Sequence, residues 1–229
     1  MRIASRYCGP PDSGNGGYCA GLLANALGGA VEVTLRRPPP LEQPLSLHVE
    51  QAYAELRHGE DLVAEARPTR LGLEVPSAPS FARATELSAH YVGHDKHHFP
   101  GCFVCGPARA VGDGLRIFPG AEHEGEPVAA PFCPDASLSH TGGVVASEFV
   151  WAALDCVGYF AVARPDYPVA LLGRMTAEVF GSVQVDEPCV VIGWSLGREG
   201  RKLQAGTALF GADGRLGGCA RQTWISVTK

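Results

Sequence analysis

Gly16-Gly17-Tyr18-Cys19-Ala20 and Gly142-Gly143-Val144-Val145-Ala146 decide the interpretation of this chain, because each is a glycine pair that opens an apolar segment. Two further similar stretches follow in the same order, at residues 62–69 and 216–223, and both read Leu-x3-Ala-Arg-x-Thr. The glycine pairs start 126 residues apart and the later stretches start 154 residues apart. Matched landmarks in a fixed order indicate an internal duplication. We therefore predict two copies of one folding unit.

The composition indicates a globular protein with a substantial core. The 229 residues are 45% hydrophobic and carry a formal net charge of −5. No apolar run approaches the roughly 18 residues of a membrane span, and the first six residues do not resemble a secretion signal. A negative net charge does not give the basic surface typical of nucleic-acid-binding proteins. We expect a cytoplasmic protein with no membrane and no nucleic-acid partner.

The eight cysteines are mostly scattered singly in apolar stretches, as at Cys19, Cys156, Cys189 and Cys219. Disulfide frameworks are typical of short secreted chains, which this chain does not resemble. We therefore predict buried, reduced thiols.

Hydrophobic patterning predicts the same order of elements in both halves, a helix followed by antiparallel strands. In the first half, a helix is expected at 20–27 and strands at 31–36, 45–52 and 62–66. In the second half, a helix is expected at 143–155 and strands at 115–118, 128–132, 172–179, 190–196, 202–210 and 216–225. Residues 67–80 contain three prolines and are predicted to be a linker, which gives domains at 1–80 and 81–229. The fold class expected from this order is α+β.

One stretch carries a family resemblance. The sequence Cys102-Phe103-Val104-Cys105-Gly106-Pro107, followed by residues 114–118 and by His140-Thr141-Gly142-Gly143, resembles the hotdog-fold acyl-CoA thioesterases of the PaaI-like group. The resemblance implies a double hotdog, in which each half is a central helix wrapped by an antiparallel sheet. It also implies acyl-thioester pockets between the halves, hydrolysis of a small or medium acyl-CoA thioester without a cofactor, and a homodimer of double hotdogs.

The two glycine pairs are candidate substrate-binding residues. A helix N-terminus offers free N–H groups to the carbonyl oxygen of a thioester, and glycine lets the ligand approach closely. We therefore assign Gly16, Gly17, Gly142 and Gly143 to the binding site, with Asn15 as a side-chain donor. The alternative is that the glycines only form tight turns and that Asn15 caps a helix.

The catalytic carboxylate is not where the resemblance implies it. Thioesterases of this type carry Asp or Glu seven residues after the second glycine, where this chain has Val150 and Ala24. Glu148 is the nearest substitute in the second half, and His140 lies one residue earlier than the pattern. We predict Glu148 and His140 as catalytic residues.

Asp155 is the third catalytic candidate, because it lies seven residues after Glu148 and shares its face of an apolar helix. A buried carboxylate either has a raised pKa suited to acid–base chemistry or pairs with a cation, for which Arg174 and Arg201 are candidates. By the resemblance, Gln222 falls where double-hotdog thioesterases keep a glutamine that orients water.

Two other functions compete with hydrolysis. Asp135 and His140 have the Asp-x4-His spacing of hotdog enoyl-CoA hydratases, although Asp135 equally suits a turn cap after Pro134. A non-catalytic protein that binds acyl-CoA or a lipid is the other alternative, because Val150 and Ala24 replace the expected carboxylates.

The remaining candidates are metal ligands and phosphate-binding cations. Cys102 and Cys105 have the spacing of half a zinc site, with His90, His94, His97 and His98 upstream. No second Cys-x2-Cys follows, and the resemblance accounts for the loop without a metal, so we expect packed cysteines and no metal ion. Arg201 and Lys202, and less directly Arg36 and Arg37, are predicted to bind the phosphates of coenzyme A.

Overall fold

The computed structural model describes residues 1–163 and 169–227. The main helices are α1 (Gly16–Ala24), α2 (Phe81–Ser88) and α3 (Ser147–Val162). The strands are β1 (Val31–Leu35), β2 (Ser46–Glu50), β3 (Tyr53–His58), β4 (Asp61–Pro68), β5 (Val128–Phe132), β6 (Ser139–Thr141), β7 (Val144–Val145), β8 (Ala170–Val179), β9 (Cys189–Glu199), β10 (Lys202–Phe210) and β11 (Leu216–Ser226).

Nine of the strands form one antiparallel sheet, in the order β2-β3-β4-β1-β8-β11-β10-β9-β5. The first half of the chain supplies β1 to β4 and the second half supplies the other five. The halves join where β1 pairs with β8, with Val33 opposite Met175. Because each half is an antiparallel sheet with its own buried helix, this is the predicted α+β double hotdog.

The helices α1 and α3 pack against each other as well as against the sheet. They run antiparallel, since Gly17 near the start of α1 contacts Asp155 and Gly21 near its end contacts Glu148. A Cβ on Gly17 would lie 2.5 Å from the Cβ of Asp155, and one on Gly21 would lie 2.5 Å from the Cα of Glu148. Two glycines spaced by four residues therefore let the helices approach closely.

The prediction that Gly142 and Gly143 begin a helix is wrong. They form the turn between β6 and β7, with φ values of 67° and 76°, and α3 begins only at Ser147. Two residues with positive φ between paired strands form a type I′ hairpin turn, which glycine adopts without strain. The matching position in the first half differs, because Gly16 and Gly17 do begin α1.

Most strand predictions are confirmed within a few residues, and four assignments change. Residues 115–118 are extended but are not a strand, because they pair with the turn at residues 103–104. The strand β3 and the helix α2 were not predicted. Helix α1 begins at Gly16 and not at residue 20, because Asn15 caps it by accepting the N–H of Tyr18.

The residue 102–107 loop, called the cysteine loop below, joins the second half to the first. The N–H of Phe103 donates to the carbonyl of Cys8 at 2.8 Å. The Phe103 ring lies 5.0 Å from that of Tyr7 and 6.1 Å from that of Phe149, measured between centroids. The loop is therefore part of the shared core and not an exposed connection.

All eight cysteines are free and seven are buried, which confirms the predicted reduced thiols; only Cys133 is exposed. Within the described ranges, no helix has both the length and the apolar character of a membrane span.

Candidate functional site

A cavity of about 870 Å³, called the large cavity below, lies between the two halves. Its walls come from both copies, including the loop before α1, the end of β1, the cysteine loop, the second half of α3, and the ends of β8 and β11. Apolar side chains such as Leu172, Tyr159 and Trp224 cover much of it. An apolar cleft of this size with a few polar groups is typical of a small-molecule site.

Among the described residues that line this cavity, Asp12 and Asp95 are exposed carboxylates and Asp155 is a buried one. It is only 2% exposed, and its Oδ2 accepts hydrogen bonds from Asn15 Nδ2 at 2.8 Å and from the N–H of Gly17 at 3.0 Å. Its Oδ1 is buried and has no hydrogen-bond partner among the described residues. The carboxyl group is therefore held in place through one oxygen, while the other makes no hydrogen bond to the described residues.

Burial raises the pKa of Asp155 to about 7, and the hydrogen bonds from Gly17 and Asn15 oppose this shift. Loss of solvation disfavours the charged form of a carboxyl group. The sequence predicted this behaviour for a carboxylate on an apolar helix. The predicted arginine partners are absent, because Arg174 pairs with Glu32 at 3.4 Å and the hydrogen bonds to Asp155 come from neutral groups.

The N-terminus of α1 faces the same cavity. Gly16 lines the cavity, and its N–H has no acceptor among the described residues. The next two N–H groups are used, since Gly17 donates to Asp155 and Tyr18 to Oδ1 of Asn15 at 2.9 Å. The helix dipole adds partial positive charge at this end. One N–H group at the start of α1 is thus free to bind a carbonyl oxygen.

The structure brings Glu148 and His140 together, but away from the large cavity. His140 Nε2 lies 2.7 Å from Oε1 of Glu148, and Asn25 Nδ2 donates to Oε2 at 2.9 Å. Glu148 is 5% exposed and faces the end of α1. Both of its oxygens are therefore already bound at the contact between the two helices.

A second pocket, of about 360 Å³, lies beside the β6–β7 hairpin. His140 and Val150 line it together with small and apolar residues, and no carboxylate is found among its described lining residues. Val150 occupies the position at which the resemblance implies Asp or Glu. The second pocket therefore has the shape of a site but lacks the acid–base group.

The predicted phosphate-binding residues separate into two groups. Arg201 and Lys202 lie at the β9–β10 hairpin and are not among the described residues that line either cavity. Arg36 and Arg37 do line the large cavity, as does Lys96. Arg37 also forms an exposed ion pair with Asp61 at 2.9 Å. The cations at the cavity therefore come from the first half and from the segment before the cysteine loop.

The side chain of Gln222 is held by hydrogen bonds to other protein groups. It is fully buried, donates through Nε2 to the carbonyl of Leu154 at 2.6 Å and to Oγ1 of Thr207 at 3.3 Å, and accepts from Nε1 of Trp224 at 2.7 Å. These bonds occupy its amide, so it ties β11 to α3.

The Asp135–His140 arrangement of a hydratase is not formed by the observed contacts. Asp135 Oδ1 accepts the N–H of Ser137 at 2.7 Å and caps a short turn, while His140 contacts Glu148. This is the turn-cap alternative stated for Asp135.

One group of possible metal ligands lines the large cavity, namely Cys102, Cys105 and Cys156. Hydrogen bonds from the thiols of Cys105 and Cys156 lower the pKa of Cys102. The sequence indicated the first two cysteines by their spacing. It gave no signal for Cys156, because only the packing of α3 against the cysteine loop brings that sulfur to the other two.

Comparisons with known proteins identify the fold. No family model matches the chain, and no curated protein matches it. Among solved structures, the chain is similar to the tesB protein of Mycobacterium avium subsp. paratuberculosis, with a TM-score of 0.65 and 13% identity over 96% of this chain and 89% of that one. A hot dog fold protein of unknown function from Alicyclobacillus acidocaldarius has a TM-score of 0.62 and 12% identity over 100% and 92% of the two chains.

An acyl-CoA thioesterase II of Mycobacterium marinum is also similar, with a TM-score of 0.58 and 8% identity over 89% of this chain and 81% of that one. At such identities the similarity establishes the fold. These matches cover nearly the whole chain, which agrees with two hotdog units in one polypeptide.

Proposed function

We propose that this chain hydrolyses acyl-CoA thioesters in the large cavity, with Asp155 as the group that activates water. The setting of Asp155 carries the proposal: one carboxylate oxygen is held by Asn15 and Gly17, and the other is buried without a partner at the wall of the cavity. The name of the M. marinum neighbour, acyl-CoA thioesterase II, supports the same reaction class.

In the proposed reaction, Oδ1 of Asp155 takes a proton from water while the water oxygen bonds to the thioester carbonyl carbon. Negative charge develops on the carbonyl oxygen, and the free N–H of Gly16 at the start of α1 stabilises it. The carbon–sulfur bond then breaks, and the proton passes from Asp155 to the leaving thiolate. The products are a carboxylic acid and a free thiol.

The cations at the mouth of the cavity support coenzyme A as the carrier of the acyl group. Arg36, Arg37 and Lys96 are exposed residues that line the cavity, and guanidinium and ammonium groups bind phosphate. The apolar interior suits an acyl chain, and its volume is within the range of ligand sites. The proposed orientation places the acyl group inside and the phosphates at the mouth.

A second candidate function is a binding protein for acyl-CoA or a lipid, without turnover. It is favoured by Val150 in the second pocket and by the capping of α1 through Asp155, which gives that carboxylate a structural use. The predicted homodimer, the cytoplasmic location and the domain boundary at residue 80 stay predictions for either function.

Replacement of Asp155 tests the proposal. We expect Asp155→Asn to lower kcat for acyl-CoA hydrolysis by about 10²–10⁴-fold, because the amide retains the size of the side chain but cannot act as a base. Thiol release from a panel of acyl-CoAs measures the rate, and the melting temperature reports whether the fold persists.

Glu148→Gln is the matched control, since it changes the other buried carboxylate of α3 at a site outside the large cavity. We expect it to retain the wild-type rate. Equal rates for wild type and Asp155→Asn would contradict the assignment. Thermal stabilisation by acyl-CoA without thiol release would favour the binding protein.

A further prediction concerns the phosphates. We expect Arg37→Ala to raise KM for an acyl-CoA several-fold and to leave KM unchanged for the same acyl group on N-acetylcysteamine, which has no phosphates. Arg201→Ala, at the β9–β10 hairpin, is expected to change neither. Steady-state kinetics on both substrates decide whether the pair Arg36 and Arg37 or the pair Arg201 and Lys202 binds the phosphates. A KM effect confined to Arg201→Ala would contradict the proposed site.

A further inference from the structure

Three cysteine sulfur atoms meet at the wall of the large cavity, two from the cysteine loop and one from α3. The Sγ atoms of Cys102, Cys105 and Cys156 lie within 4.8 Å of one another, and those of Cys102 and Cys156 are 3.7 Å apart. All three residues are buried. The proposed hydrolysis does not use them, so the cluster needs its own explanation.

The spacing of the sulfur atoms agrees with a tetrahedral metal site. A zinc–thiolate bond is about 2.3 Å long, so two sulfurs bound to one tetrahedral ion lie about 3.8 Å apart. Cys102 and Cys156 are already at this separation. The sulfur of Cys105 needs to move by no more than about 1 Å, given the 4.8 Å limit on the cluster.

The cysteine loop is a tight turn that brings the sulfur atoms of Cys102 and Cys105 to the same place in the fold. Gly106 closes the loop by donating to the carbonyl of Cys102 at 2.9 Å. A Cβ on Gly106 would lie 2.5 Å from that carbonyl oxygen, so the tight turn requires glycine.

A half-buried histidine, His97, lies on the same cavity wall. Nε2 of His97 has no hydrogen-bond partner among the residues described, and Nδ1 accepts the N–H of Phe99 at 2.9 Å. The neutral ring therefore carries its proton on Nε2, which makes that atom a donor and not a metal ligand. Hydrogen-bond donors near a metal site orient its ligands, and the Nε2–H of His97 is such a donor on the cavity wall that also holds the cysteine cluster.

We propose that Cys102, Cys105 and Cys156 bind one Zn²⁺ ion as thiolates, with the fourth coordination position open to the large cavity. Three protein ligands with one open position are typical of zinc sites that bind water or a small ligand. Thiolates select zinc over Mg²⁺ and Ca²⁺, which prefer oxygen. The proposal goes beyond hydrolysis at Asp155 and does not depend on it.

Such an ion joins the cysteine loop to α3 by bonds that replace three thiol protons, which are released on binding. It thereby strengthens the contact between residues 102–105 and residue 156, which otherwise consists of buried thiols. It also places a site for a water or a soft ligand, such as a thiol, on the wall of the cavity where the proposed reaction releases one.

Metal analysis of the reduced wild-type protein tests the site. We expect one zinc per chain, and we expect Co²⁺ added to the metal-free protein to produce the thiolate-to-metal absorption of a tetrahedral sulfur site. X-ray absorption at the zinc edge is expected to count three sulfur neighbours at about 2.3 Å. These measurements need no variant, so they remain decisive if a cysteine substitution prevents folding.

The matched variants are Cys156→Ala, which removes the helix ligand, and Cys219→Ala, which removes a buried thiol on β11 outside the cluster. We expect Cys156→Ala to weaken zinc binding by more than about tenfold, and Cys219→Ala to leave it unchanged. Competition with a chromophoric chelator measures both affinities.

A reduced, folded protein that takes up neither Zn²⁺ nor Co²⁺ would overturn the proposal. Equal zinc affinity of wild type and Cys156→Ala would also overturn it. Thiol release by a protein that binds no zinc would contradict only the zinc site, and zinc binding without thiol release would contradict only the proposed hydrolysis. The two proposals therefore fail independently.

Discussion

Two acidic residues on one face of α3 have different surroundings, and this difference separates their roles. Glu148 has both oxygens bound, by His140 and Asn25, at the end of α1. Asp155 has one oxygen bound at the start of α1 and the other without a partner. Because a hydrogen-bonded oxygen is held in one orientation, Oδ2 positions Asp155, and Oδ1 is the atom to which we assign the base in the proposed reaction.

The position of Asp155 depends on the absence of a side chain at Gly17. We expect Gly17→Ala to lower the free energy of unfolding by about 1–3 kcal/mol, because the new Cβ would lie 2.5 Å from the Cβ of Asp155 and 2.7 Å from the carbonyl oxygen of Trp151. Urea unfolding measures the loss. Gly72→Ala is the control, since a Cβ there meets no atom within 4 Å, and equal stabilities of the two variants would contradict the close helix contact.

The cysteine loop joins the two copies in addition to the shared sheet and the contact between α1 and α3. Its Phe103 is fully buried among Tyr7, Tyr18 and Phe149, which come from the N-terminal segment, α1 and α3. One side chain thus contacts both halves. The loop also contributes Cys102 and Cys105 to the cavity, so its position affects the candidate metal site.

We expect Phe103→Ala to destabilise the protein by about 3–5 kcal/mol, the usual cost of removing a buried aromatic side chain. Val111→Ala lies in the same connection but at a residue that is 89% exposed, so its effect is expected to stay within about 0.5 kcal/mol. Thermal and urea unfolding measure both. Similar small losses for the two variants would show that the loop does not carry core packing.

The whole molecule is built so that neither half completes its own core. The sheet is continuous through β1 and β8, and α1 packs on α3 as well as on its own strands. Cutting between the copies would expose one edge strand of each sheet and the facing surfaces of both helices. The duplication in the sequence therefore does not imply two independently stable domains.

We expect one cooperative unfolding transition for both halves. Trp151, Trp194 and Trp224 are the three tryptophans of the chain, so their fluorescence follows the second half. Hydrogen exchange at the amides of α1 and β1 follows the first half. Coincident midpoints in urea are the expected result. A first half that unfolds at clearly lower urea would instead support separate domains divided near residue 80.

The duplication, the α+β class and most strands could be predicted from the sequence, because these depend on local periodicity and on glycine and proline positions. The sequence also indicated that the acidic residues of the apolar helix, Glu148 and Asp155, have unusual surroundings. The error at Gly142 and Gly143 has a local cause. A glycine pair suits both a helix start and a type I′ turn, and only the pairing of Thr141 with Val144 shows that this pair is a turn.

Which acidic residue lines the large cavity, and which groups surround it, could not be predicted from local patterns in the sequence. The contact between Asp155 and Gly17 spans 138 residues, and that between Cys102 and Cys156 spans 54. Such contacts arise when helices and loops from two copies pack together, and no local pattern encodes that packing. The four-residue spacing of Gly17 and Gly21 marks a face of α1 that can pack closely, but it does not identify α3 as the partner. Periodicity in a sequence indicates which face of a helix or strand is buried, but the element that packs on that face is set by the arrangement of the whole chain.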